Sequence, residues 1–329
     1  MKKSKPCIEL HDEVATALAE HRPVVALETA VVTHGLPRES IPELSHVGDV
    51  HWDAHAPANI ALILAMERCV RAVGAVPATM ALLDGTLRAG LSDHDLDRLG
   101  SDRNALKLSS RDLGAAIANR ATGGLTVAAT LTACLASGVK CFATGGIGGV
   151  HQGWAKHLDV SADLAALANA PVVVVCAGAK NILDLPATLE CLDSLGVPVL
   201  GLGTQHFPCF TCVPDVTLPV AARVETPRDV AAAAMAHWKL GLRSAVLTVQ
   251  PCPKAFALER QVFEQAMESA TQQARDQRIS GAALTPFLLA TLCTLTHGKS
   301  LQANVALLLA NAATAAEVSK NLLDLEAAA

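Results

Sequence analysis

Three stretches of this chain combine residue types that suit chemistry as well as packing. Asp159-Val160-Ser161-Ala162-Asp163 sets two carboxylates around a serine that suits a helix start. Acids there complement the positive end of a helix; the functional alternative makes Asp159 a ligand for a hard cation and Asp163 a proton-handling group. Cys176-Ala177-Gly178-Ala179-Lys180 follows the apolar run 172–175. A lysine delivered among such residues loses water from its ammonium and becomes a nucleophile able to form a Schiff base with a carbonyl; the alternative is a lysine on a surface loop. Thr144-Gly145-Gly146-Ile147-Gly148-Gly149-Val150-His151 carries four glycines. Its backbone N–H groups suit a phosphate, or its glycines serve a tight turn with close packing. The spacing matches neither the dinucleotide fingerprint nor a Walker loop.

Four further residues share this character. Glu28 closes the apolar stretch 24–27, where a carboxyl has a raised pKa and serves as a general acid. Lys107 lies in the alternating segment 106–112, placed to meet a phosphate or simply exposed. His34 and His151 follow glycine-containing or turn segments and suit ligand contacts or structural hydrogen bonds.

The elements that must position these groups follow from periodicity. Apolar runs at 23–27, 75–83, 139–143, 172–176 and 197–202 read as strands, the last weakened by Pro198. Helical spacing marks 59–73, 124–137, 161–169, 258–275, 285–293 and 301–323. Alternation of the two implies a layered α/β protein, in which ligands gather where strands end and helices begin. The segment 40–58, with His46, Asp49, His51, Trp52, Asp53 and His55, lacks periodicity and reads as a solvated surface loop. In a helix, His51 and His55 would share a face, which makes a metal site the alternative.

Composition narrows the class. Hydrophobic residues are 51% against 17% charged, the reverse of a disordered chain. Aromatics are 3%, with no Tyr, so the core must be Ala, Val and Leu, a composition that argues poorly for a stacking platform on a nucleic-acid polymer. A net charge of −5, without a basic run beyond residues 1–5, argues the same way. Apolar runs fall short of a membrane span, and no secretory leader is evident, so the ten cysteines read as reduced intracellular thiols. The one close pair, Cys209 and Cys212, lacks the second pair of a zinc site.

Taken in order, the segments resemble the pseudouridine-5'-phosphate glycosidase (indigoidine-synthase-A-like) family. The resemblance is carried by Ala26-Leu27-Glu28-Thr29, His34-Gly35-Leu36-Pro37, Lys107 to Asp112 and Gly123-Gly124-Leu125-Thr126-Val127. The Thr144 to His151, Asp159 to Leu164 and Cys176 to Lys180 segments, Thr285-Pro286-Phe287 and Ser300-Leu301 with Asn304 complete it. It implies an α/β three-layer α/β/α sandwich around a mixed β-sheet, a single domain over 1–329 with an inserted loop at 40–58, and a homotrimer in the cytoplasm. The implied reaction is reversible cleavage of the C–C glycosidic bond of pseudouridine 5'-phosphate to uracil and ribose 5-phosphate. Glu28 aligns with the family's acid, Lys180 with its nucleophile, and Asp163 with a proton-moving group. Asp159 aligns with the ligand of one Mn²⁺ (or Mg²⁺) per subunit. Lys107, Val127 through its backbone, Thr144, Ser161, Ala162 and Asp163 align with substrate contacts, and Asn304 with a position beside the base. Alternatives are a C-glycosynthase joining ribose 5-phosphate to another aromatic carbon, and a catalytically silent phosphosugar-binding protein. Gln152, Leu125, Gly281-Ala282, Ala290 and Thr294 depart from the family pattern and bear on substrate preference and subunit contacts.

Overall fold

Continuous β-branched runs make the centre of the sheet, because a strand covered on both faces has no solvated side. The computed structural model describes residues 8–48, 50, 52–213, 218–279 and 284–328. Its strands are β1 (Ile8–Leu10), β2 (Val24–Leu27), β3 (Val76–Leu83), β4 (Thr86–Ala89), β5 (Leu106–Leu108), β6 (Gly123–Leu125), β7 (Cys141–Ala143), β8 (Val150–His151), β9 (Val173–Cys176), β10 (Leu183–Asp184), β11 (Val199–Leu202), β12 (Ala222–Val224) and β13 (Val246–Val249). The main sheet runs β1-β4-β3-β2-β7-β9-β13-β11-β12, with β6 also on β3 and β5 on β6. β3 pairs antiparallel with β4 and β6, and the remaining pairs of this sheet are parallel, so the sheet is mixed as expected. β8 and β10 form a separate antiparallel pair.

The helices are α1 (Asp12–Ala19), α2 (Ala58–Ala72), α3 (Asp93–Ser101), α4 (Leu113–Ala118), α5 (Val127–Ser137), α6 (Trp154–His157), α7 (Ala162–Leu167), α8 (Leu185–Ser194), α9 (Pro227–Lys239), α10 (Arg260–Asp276), α11 (Leu284–Leu295) and α12 (Lys299–Ala327). Alternate residues of the strands point to opposite sides, so the core splits into two clusters. α1, α5, α7, α8 and α10 contribute to one. α2, α3, α9 and α12 contribute to the other. This is the three-layer α/β/α sandwich. Among the described residues no helix is long and apolar enough to cross a membrane.

Two local expectations are corrected. Residues 124–125 were expected to begin a helix, but they belong to β6, in register with Ala81 of β3. A Cβ on Gly124 would stand 2.5 Å from the Thr29 carbonyl oxygen, so glycine is what lets this strand close on β2's exit. Segment 40–58 is not simply a solvated loop. Leu44, Val47 and Trp52 are buried in the α2–α12 cluster, because isolated apolar side chains gain from a core even without periodicity. His46 and His55 stay exposed; Asp49 and His51, and with the latter the proposed histidine pair, lie outside the described residues, as do Cys7, Gly281 and Ala282.

Glu67 on α2 gives a test of the packing. Burial pushes its pKa up to about 7, against the hydroxyl that Thr79 donates to it and the Arg71 charge. A raised carboxyl pKa stabilises the fold fully below its ordinary value of 4.5, and that contribution is lost as pH climbs through about 7. Glu67→Gln is therefore expected to melt higher than the parent at pH 8.5 and nearly level with it at pH 4.5, read by thermal unfolding at both.

Candidate active site

Three neighbouring parallel strands, β2, β7 and β9, end together. Leu27 pairs with Ala143, and Ala143 with Val175, so Glu28 and Thr144 come side by side one residue later. The chain leaving β9 turns at Gly178, whose φ of +82° is left-handed. It then zips to the glycine-rich loop: the Ile147 N–H donates to the Gly178 carbonyl (3.0 Å), and the Lys180 N–H to the Ile147 carbonyl (3.1 Å). That exchange delivers Lys180 to the strand ends. Beyond β2, Thr29 donates its hydroxyl to the Met80 carbonyl (2.6 Å) and accepts the Leu125 N–H (3.1 Å). It thereby ties the sheet to a π-helical turn, Val31–Gly35, that presents His34.

The resulting cleft has a small central chamber and two arms. The chamber, about 70 Å³, is lined by Glu28, His34, Lys107, Lys180, Phe210 and Asn304 among others. One arm, about 290 Å³, is polar: Glu28, Lys107 and Lys180 continue into it, joined by Arg111, Val127, Asp159, Ser161, Ala162 and Asp163. The other, about 310 Å³, continues past His34, Phe210 and Asn304 between α11 and α12. All of the expected site residues but one therefore line a single cleft.

The exception is Thr144. It was expected to touch substrate, but it is fully buried and its hydroxyl donates to the Glu28 carboxylate. Its neighbours on the glycine-rich loop are likewise committed inward. The Gly148 N–H donates to Asp163 (2.8 Å), and the Val150 N–H to Thr188 (3.0 Å). A Cβ on Gly148 would meet Asp163 Oδ2 at 2.8 Å. Close packing explains Gly148, whereas Gly145 and Gly146 line the chamber.

Charge is concentrated at the centre. Burial, first, pushes the Glu28 carboxyl well above its ordinary range; Lys180's charge and the Thr144 hydroxyl oppose this, and Asp163's charge adds to it. Lys107 is an exposed residue, yet the protein packed around its ammonium lowers its pKa, with Lys180's like charge second. His34 is held low by burial and then by Lys107 and Arg38, so its ring is neutral near pH 7; Nδ1 lies 2.8 Å from the Thr33 hydroxyl. Asp163 accepts N–H donors on both oxygens, from Ala128 at the start of α5 (2.9 Å) and from Gly148. Ser161 caps α7 by accepting the Asp163 N–H (3.2 Å). Asp159 is exposed, its Oδ2 3.8 Å from His151 Nδ1.

Two supporting residues were missed by sequence reasoning. Asn311 on α12, buried, donates to the Thr144 carbonyl (2.8 Å) and accepts from Gln250 (2.8 Å). Its signal was an amide inside the apolar run 305–316. Phe210 lines chamber and arm from a left-handed backbone (φ +54°), for which its sequence gives no sign. Next to it, burial pushes the Cys212 thiol up to about 12, and its sulfur accepts from Asn181 at 3.3 Å.

A buried acid and a lysine facing one chamber at the carboxyl ends of parallel strands are the site of an enzyme. The chain belongs to the indigoidine synthase A-like family, whose model matches residues 51–321. A relative from Caldanaerobacter subterraneus subsp. tengcongensis, named pseudouridine-5'-phosphate glycosidase, is 43% identical over 315 residues, covering 96% of each chain. One of the same name from Chloroflexus aurantiacus is 45% identical, covering 97% of this chain and 99% of its own. Among solved structures, the prealnumycin C-glycosynthase AlnA, in complex with ribulose 5-phosphate, superposes with a TM-score of 0.85 at 35% identity over 99% of this chain and 100% of that one. An indigoidine synthase A-like protein from Thermotoga maritima gives 0.82 at 28% identity over 98% and 99%.

Proposed function

We propose that this enzyme reversibly cleaves pseudouridine 5'-phosphate, with water, to uracil and ribose 5-phosphate. The observation that carries the reading is the pairing of Glu28, its carboxyl pKa raised by burial, with Lys180 in one chamber between a polar and an apolar arm. Uracil carbon is a poor leaving group, so direct departure from an intact ring is disfavoured. Glu28 protonates the ribose ring oxygen as the ring opens, and the Lys180 amine forms a bond to the anomeric carbon. The amine adduct's nitrogen lone pair then forms C=N as the bond to uracil C5 breaks and C5 takes a proton, so uracil leaves, and water hydrolyses the remaining iminium to ribose 5-phosphate and free lysine. The 5'-phosphate takes the polar arm, where Lys107, Ser161, Ala162 and the Val127 backbone at the start of α5 face it. Asp163 moves protons there, and Asn304 meets the base edge. Incubation with pseudouridine 5'-phosphate and Mn²⁺ should release uracil and ribose 5-phosphate; a folded protein that releases neither, across several divalent metals, refutes the reading.

The donor set of the polar arm suits one hard cation. Asp159 is a solvent-facing carboxylate, and among the described residues no group of three or more His, Cys, Asp or Glu side chains could hold a metal by themselves. A single carboxylate with waters and a substrate phosphate is a common way to hold Mn²⁺ or Mg²⁺. Asp159 would hold the ion, one per subunit, and the ion would supply positive charge beside the phosphate. Chelation is expected to lower activity reversibly, and Asp159→Asn to raise the Mn²⁺ needed for half-activation roughly tenfold.

Thr144→Val tests the acid's environment. The lost hydroxyl favoured the charged form of Glu28, so its pKa rises and the alkaline limb of the pH–rate profile moves up. An unmoved limb removes Glu28 as the titrating acid. We also propose a single-domain chain, with 40–58 as an insertion, that assembles as a homotrimer in the cytoplasm; light scattering should give three chains per particle.

A further inference from the structure

We infer that His34 is the base that draws a proton from the water that frees the sugar from Lys180. The inference rests on the glycosidase reading for the iminium that this water attacks. Hydrogen bonds of the π-helical turn fix which ring nitrogen carries the proton. The Thr29 carbonyl accepts the N–H groups of Val32 (3.1 Å) and Thr33 (3.0 Å), and the Thr33 hydroxyl as well (3.2 Å). With its one proton given to that carbonyl, the hydroxyl meets His34 Nδ1 at 2.8 Å as an acceptor. Nδ1 is therefore protonated, and Nε2 keeps a lone pair. Among the described residues Nε2 has no hydrogen-bond partner, and the ring borders both the chamber and the apolar arm. Burial, and then the charges of Lys107 and Arg38, hold that ring neutral near pH 7.

The turn is built to hold this pose, as π-helical segments at functional sites often are. The fully buried Asn59 amide donates to the Val32 carbonyl (2.9 Å) and to the Gly100 carbonyl (3.1 Å). Arg38 donates to the Thr33 carbonyl (3.0 Å). A Cβ on Gly124 would collide with Thr33 Oγ1, so that glycine makes room for the orienting hydroxyl. Among the described residues the chamber is lined by three other ionisable side chains, each already committed. Lys180 holds the sugar, Lys107 faces the phosphate, and Glu28 must recover its proton from the sugar's C4 hydroxyl as the ring recloses. Water that enters from the apolar arm meets His34 at the boundary of the chamber. As the water oxygen bonds to the iminium carbon, Nε2 takes one of its protons and the C=N pair returns to nitrogen. The imidazolium passes that proton to the nitrogen and then takes the hydroxyl proton as C=O forms. The C–N bond breaks with its electron pair on the lysine, ribose 5-phosphate leaves as the aldehyde, and the ring sheds its proton to solvent.

Exchange of oxygen from isotopically labelled water into C1 of ribose 5-phosphate tests this, because it needs only the Lys180 iminium and its hydrolysis. In His34→Gln, whose melting profile should match the parent's, the enzyme-dependent exchange is expected to fall roughly a hundredfold or more. Given pseudouridine 5'-phosphate, the variant should release uracil in a burst of about one per site, and borohydride should trap several-fold more sugar on Lys180 than in the parent. Imidazole added to His34→Ala should restore exchange, which a merely structural role would not allow. Exchange unchanged in His34→Gln, His34→Ala that imidazole does not rescue, or a parent that exchanges no faster than free ribose 5-phosphate overturns the inference. Uracil release by the parent judges the glycosidase reading separately. Exchange that depends on His34 without uracil release keeps the base and removes that reaction; release with exchange indifferent to His34 keeps the reaction and removes the base.

Discussion

Lys180→Ala is expected to cut kcat/KM for pseudouridine 5'-phosphate by roughly ten-thousand-fold or more, with an unchanged melting profile. The size follows from the amine's part in a bond, not merely in a contact. Borohydride added to the parent with ribose 5-phosphate should leave one sugar adduct, on the peptide that contains Lys180, by mass spectrometry. The rival is close at hand, because Lys107 lines the same chamber and its pKa is already lowered. Lys180's charge is the second cause of that lowering, so its removal makes Lys107 more basic and a poorer nucleophile near pH 7. Residual activity in Lys180→Ala should therefore be small and rise with pH. Lys107→Ala should retain the adduct while binding ribose 5-phosphate less well. An adduct that survives in Lys180→Ala and disappears in Lys107→Ala exchanges the two roles.

The strand ends were legible because burial on both faces leaves a plain signature: an apolar run such as 172–176 announces a central strand, and the residues just beyond it stand at the sheet's edge. Glu28 and Lys180 were found this way. Thr144 was seen as a strand-end residue too, but its partner was not visible, since pairing with Glu28 depends on β2 lying next to β7, an order no local pattern contains. The same holds for the glycine-rich loop. A phosphate cradle and a packing turn share one composition, and only the positions of Asp163 and Thr188 decide between them. Periodicity also undervalued Leu44, Val47 and Trp52, because anchors dispersed along an irregular segment carry no repeat. Phe210 was invisible for a further reason: the left-handed region is expected of glycine or asparagine, and a phenylalanine is held there by tertiary contacts alone.

Glu28→Gln isolates the acid from its volume. Gln keeps the shape and an oxygen that accepts the Thr144 hydroxyl, but it has no proton to give to the ring oxygen; kcat/KM should fall roughly a hundred- to ten-thousand-fold. In the parent, activity needs the protonated carboxyl, so the rate declines as pH rises through the elevated pKa of Glu28, and Glu28→Gln loses that limb. Stability moves in the opposite sense. A carboxyl whose folded pKa lies above its unfolded one contributes fully below the unfolded value of about 4.5 and loses that contribution as pH climbs through the folded one. Above that point the parent holds a carboxylate in a site where burial outweighs the help of Lys180 and Thr144, whereas Gln is never charged. The variant should therefore melt higher than the parent at alkaline pH and converge with it near pH 4. Parallel melting curves across this range, or full activity in Glu28→Gln, mean that Glu28 is ionised in the folded enzyme and that another group protonates the sugar.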